Sequence, residues 1–81
     1  MNWTQMTDLY RARDAARVVY HGNYDQQVGI AIAALLRAMQ TTGDTAMRTA
    51  NDMAAICNAK NDPNAGLLFQ AAAIEMLEEV R

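Results

Sequence analysis

His21 and Cys57 are the side chains of this sequence with the strongest claim to chemistry. A cysteine activated by a histidine base is a known nucleophilic pair, and both residue types bind zinc. Each occurs once in the chain. Zinc needs about four ligands, so the pair falls well short, and neither a metal nor a cofactor is expected. Cys57 shares the apolar side of a predicted helix with Ala46, Ala50, Met53 and Ala54, where cysteine behaves as a small hydrophobe. His21 stands beside a helix end, a place for capping or solvation. Serine is absent, which removes serine nucleophiles. The four glycines, at 22, 29, 43 and 66, are scattered and form neither a GxxxxGK(S/T) nor a GxGxxG phosphate loop. These residues predict a protein that is not an enzyme.

Two further groups stand out. Glu75, Glu78 and Glu79 fall on one helical face at spacings of three and four. A helical di-metal site would add a Glu-x-x-His element, which is missing. The carboxylates crowd the negative end of a helix, a mildly unfavourable place that a partner cation could answer. The second group lies near the start. Four of the five aromatic residues, Trp3, Tyr10, Tyr20 and Tyr24, occur in the first 24 positions. On a helix, Tyr10, Arg13, Arg17 and Tyr20 line up at spacings of three and four, and Trp3 and Met6 continue the line backward. Tyr, Trp and Arg dominate interface hot spots. The same types also border a bundle core, with the arginine stems laid over apolar surface.

Four helices must position these groups, at about residues 4–20, 24–40, 45–59 and 63–80. Leu9, Ala12, Ala16 and Val19 give the first its apolar stripe, and Gly22 suits the left-handed position that ends it. Asn23 followed by Gln26 reads as a capping box for the second. Its stripe is Val28, Ile32, Leu35 and Met39, widened by Ala31, Ala34 and Ala38, while Ile30 and Leu36 lie on other faces. As the most apolar segment it is expected at the centre of the bundle. Asp44 is the expected N-cap of the third helix. Asp62 caps the fourth, with Pro63 at its first position. Leu67, Ala71, Ile74 and Leu77 form one stripe of that helix. Leu68, Phe69, Ala72, Ala73, Met76 and Val80 spread apolar surface round most of its circumference. Such a helix either inserts between others or meets a second copy, and Leu68, Phe69, Met76, Glu78 and Glu79 are the expected secondary interface.

The fold class is therefore all-α, a single domain built as a compact bundle of four short helices with short connections. Sixteen alanines, six leucines, four isoleucines, four valines and six methionines make a core of close helix approaches over small side chains. An 81-residue chain buries a limited fraction of its surface, so a homodimer is expected. Net charge is −2, which gives no global pull toward nucleic acid or anionic membrane. The charge is uneven. Arg11, Arg13 and Arg17 against Asp8 and Asp14 leave the first 21 residues at +1, while Asp62, Glu75, Glu78 and Glu79 against Arg81 leave the last 21 at −3. That asymmetry steers the first helix toward the last, within a chain or between two. One cysteine, no signal-peptide pattern and no apolar run long enough to span a bilayer predict a cytoplasmic protein.

Together these features predict a non-enzymatic protein–protein interaction module: a small adaptor, assembly factor or stoichiometric inhibitor of a larger bacterial or phage complex. Tyr10, Arg13, Arg17, Tyr20 and Tyr24 are the expected contacts with the partner protein. The alternative is a dimeric nucleic-acid-binding regulator. In it the second and third helices form a helix-turn-helix-like element offering Arg48, Thr49 and Asn51 to the major groove. Its surroundings carry little of the phosphate-neutralising charge on which DNA affinity rests.

Overall fold

Alanine carries the lowest intrinsic cost in a helix, and its many positions here leave little to compete with helix formation between the turns. The computed structural model describes residues 3–79 and, among them, four helices and no strand. They are α1 (Trp3–Val19), α2 (Tyr24–Thr42), α3 (Ala46–Ala59) and α4 (Pro63–Glu79). Val80 and the side chain of Trp3 lie outside what is described.

The breaks follow local chemistry. Gly22 and Gly43 adopt left-handed backbone, with φ of 85° and 74°, at little steric cost because glycine lacks a Cβ. The Gly43 N–H closes α2 on the Met39 carbonyl at 2.7 Å. This helix runs two residues past Gln40, and there the Thr41 and Thr42 hydroxyls donate to the Arg37 and Ala38 carbonyls. The N-cap of α3 is Thr45, not Asp44. Its extended backbone lets Oγ1 accept from the Arg48 N–H at 3.3 Å. The capping box at Asn23 does not form: with ψ of 6° Asn23 is not extended and its side chain makes no cap hydrogen bond. Backbone bonds close that turn instead, from the Asn23 N–H to the Tyr20 carbonyl and from the Gln27 N–H to the Asn23 carbonyl. Asp62 does cap α4, accepting from the Ala65 N–H. The end of α3 is a Schellman motif. Asn61 is left-handed at φ 61°, and the Asp62 N–H reaches back to the Cys57 carbonyl at 2.8 Å.

The centre of the bundle is α4, not α2. Each of the other three helices packs against α4, and α2 also meets α3. Ala71, Ala72, Ala73 and Ile74 are consecutive and all buried. Consecutive positions sweep round the axis, so neighbours must approach from several sides, and side chains this small allow it. Gly66 marks a close approach: a Cβ there would stand 3.3 Å from the Ala54 carbonyl oxygen of α3. The apolar count of α2 misleads because part of it faces outward. Val28, Ala31 and Leu35 are buried, while Gly29, Ile30, Ala33 and Leu36 are exposed. Of the two ways to cover the apolar circumference of α4, insertion between neighbours is the one observed.

On α1, Leu9, Ala12 and Ala16 are buried against the rest of the fold, but Val19 is 46% exposed. Tyr20, one residue on, packs against the core instead. Its N–H still bonds to the Ala16 carbonyl at 2.9 Å, so the ring continues the line of Ala16 while Val19 is turned to the edge.

Candidate functional site

The aromatic and basic line of α1 faces the acidic end of α4. Arg13 Nη1 donates to Glu78 Oε1 at 2.6 Å. Arg17 Nη2 lies 3.5 Å from Glu75 Oε1. The Tyr24 hydroxyl, at the start of α2, donates to the same Glu75 oxygen at 3.0 Å. Each arginine also lies over a ring, Arg13 at 4.9 Å from the Tyr10 centroid and Arg17 at 5.3 Å from that of Tyr24. Five of these side chains thus form one clamp joining α1, the first turn of α2 and the last turns of α4. The cation expected to answer the carboxylates near the negative end of α4 is supplied by the chain's own arginines.

Burial divides the predicted contact residues. The Arg13 side chain is 14% exposed and its Nε is buried without a hydrogen-bond partner. Burial works against the charged form of Arg13, but the hydrogen bond and charge of Glu78, helped by Glu75, outweigh it and raise its pKa. Arg17 keeps 51% of its side chain exposed. Tyr10, Tyr20 and Tyr24 are half-buried. Burial raises the Tyr20 hydroxyl above its ordinary range, with smaller pushes from Asp62 and Cys57. In the expected secondary interface, Leu68 is buried, Phe69 and Met76 pack against the core, and Glu78 holds Arg13. Only Glu79 of that set is exposed.

Tyr24 gives a direct readout of the clamp. Burial first, and then the bond to Glu75, push its pKa from 10.0 up to about 12. The fold therefore favours the neutral phenol. This contribution to stability is fully present below pH 10 and is lost as pH rises through about 12. Tyrosinate absorbance should show a hydroxyl ionising near pH 12, and Tyr24→Phe should remove that step. The absence of any step near pH 12 would contradict the clamp geometry.

The residues of the helix-turn-helix alternative are placed unevenly. Arg48 is exposed. Thr49 is 4% exposed, with its hydroxyl unpartnered, and Asn51 accepts from Gln70 Nε2 at 3.2 Å. Two of the three proposed base-reading side chains are turned into the fold. His21 is exposed in the turn after α1 and Cys57 is half-buried on α3. Among the described residues no three His, Cys, Asp or Glu side chains gather as metal ligands. No described helix is long and apolar enough to cross a membrane.

The exposed large aliphatics are Ile30 at 60% and Leu36 at 44% on α2, Val18 at 79% and Val19 at 46% on α1, and Ile56 at 56% on α3. Ile30 and Leu36 border an outward strip with Gly29 and Ala33, and a Cβ added at Gly29 would meet nothing within 4 Å. Their departure from the α2 stripe is legible in the sequence; their significance is not, because single exposed aliphatics are common. No family model, curated protein or solved structure matches the chain.

Proposed function

We propose that the chain is a non-enzymatic protein–protein interaction module, acting in the cytoplasm as an adaptor, assembly factor or stoichiometric inhibitor of a larger complex. The observation that supports it best is the outward strip of α2, where Ile30 and Leu36 stay exposed beside Gly29 and Ala33. Gly29, Ala33 and Leu36 follow the i, i+4, i+7 spacing of helix recognition by a groove, with Ile30 three residues before Ala33 at the strip's other edge, and the small residues let a partner backbone approach. This reading moves the main contact from α1 to α2. Arg13 and Tyr24 are engaged within the chain, and Arg17, although it meets Glu75, keeps half of its side chain exposed and is the predicted α1 contact best placed to reach a partner at the rim. A single cysteine suits a reducing compartment.

Affinity capture from native cells should recover a protein partner with the unaltered chain. Ile30→Glu combined with Leu36→Glu should abolish that capture without changing helicity, because both side chains already face water. Partners retained in full by the double variant would refute the assignment to α2. The proposed homodimer is tested separately, by light scattering across a concentration series.

A further inference from the structure

We propose that α1 is an exchangeable arm, able to leave α4 of its own chain and occupy the same seat on a second copy, so that two chains form a two-fold dimer. Three observations carry this. First, the backbone of α1 packs on α4 and comes little near α2 or α3, its described link to α2 being Arg17 over the Tyr24 ring. Its seat combines Leu9, Ala12 and Ala16 with the complementary pairs Arg13–Glu78 and Arg17–Glu75. Those ion pairs join α1 to α4, and they re-form unchanged when the two helices come from different chains. An exchange of identical elements needs no new recognition surface.

Second, the hinge is short. Four-residue helical backbone bonds run up to it, Tyr20 to Ala16, and resume after it, Gln27 to Asn23, with the Asn23 N–H turned back to the Tyr20 carbonyl between them. Gly22, with φ of 85°, and Asn23, with ψ of 6°, depart from helical values. Turning these residues to helical values joins α1 and α2 into one rod of about 60 Å. The whole domain measures 31 × 30 × 24 Å. A rod of that length carries α1 clear of its own α4 and toward that of another chain.

Third, the exposed valines sit at the hinge. Val18 is 79% and Val19 46% exposed, apolar surface that the closed chain leaves to solvent. In an exchanged pair the two straightened junctions pass one another near the two-fold axis. Val18 and Val19 are the apolar residues brought together there.

The test uses two charge-reversed full chains. Arg13→Glu with Arg17→Glu gives a chain whose α1 and α4 repel, and so does Glu75→Arg with Glu78→Arg. Mixed, each α1 finds an opposite α4 only across chains. The expected result is a 1:1 heterodimer of twice the 8.9 kDa chain mass, with more helix than either variant alone. Gly22→Ala should favour the dimer by roughly a hundredfold, since alanine resists left-handed backbone by about the free energy of a tenfold shift and each dimer straightens two such hinges. Association without a gain in helix is charge attraction alone and overturns the proposal. So does failure to associate while a single chain carrying all four reversals folds. If that chain does not fold, a strictly monomeric Gly22→Ala protein at high concentration overturns it. These substitutions avoid Ile30 and Leu36, so partner capture by α2 stands or falls independently.

Discussion

Leu35→Ala should lower the unfolding free energy by roughly 3–5 kcal/mol, the upper part of the range for buried leucines. Leu35 is fully buried, and the cluster around it is Val28, Ala31, Ala46, Ala50, Leu68 and the alanines at 71 to 73. Alanine has no rotamers with which to fill a void, so the cavity stays open and its cost is felt in full. A domain of this length has a total stability of about 4–12 kcal/mol, and much of it would go. The neighbouring Leu36→Ala is the control. Leu36 is 44% exposed, so its loss should cost less than about 1 kcal/mol. Urea titrations followed by circular dichroism would compare the two. Equal effects at positions 35 and 36 would mean that α2 is turned differently about its axis.

Arg13→Glu should cost about 2 kcal/mol, below the 3–5 of a fully buried broken pair because the Glu78 side chain is 37% exposed. The substitution sets two carboxylates against each other and leaves the apolar edge of α1 without the arginine stem. Adding Glu78→Arg should restore most of the loss by rebuilding the pair with its signs reversed. Arg13→Met should cost less than Arg13→Glu, since it keeps a stem of similar reach. A double-mutant cycle on thermal or urea unfolding isolates the pair energy. A coupling indistinguishable from zero would reduce the Arg13–Glu78 contact to an incidental surface pairing.

The local devices of this fold are written in neighbouring residues. Gly22 and Gly43 signal left-handed turns, and Asp62 followed by Pro63 signals a helix start, because each acts within a few positions of itself. Where local signals compete, reading is less secure. Asn23 with Gln26 has the composition of a capping box, yet backbone bonds closed that turn first. Asp44 and Thr45 are both good N-caps, and the extended backbone at Thr45 decided between them.

The sequence alone determined four helices, their limits to within about two residues, and the departure of Ile30 and Leu36 from the α2 stripe. It also showed a basic start and an acidic end that suit one another. It did not say that α4 would be the centre, because a count of apolar residues does not reveal how many neighbours a helix has. Tertiary structure decided that, through alanines at 71 to 73 small enough to admit three helices. It also decided the fate of the aromatic and basic line on α1. Arg13 meets Glu78 across 65 residues and Tyr24 meets Glu75 across 51. Contacts at that separation exist only once the helices have packed, and no spacing within one helix records them.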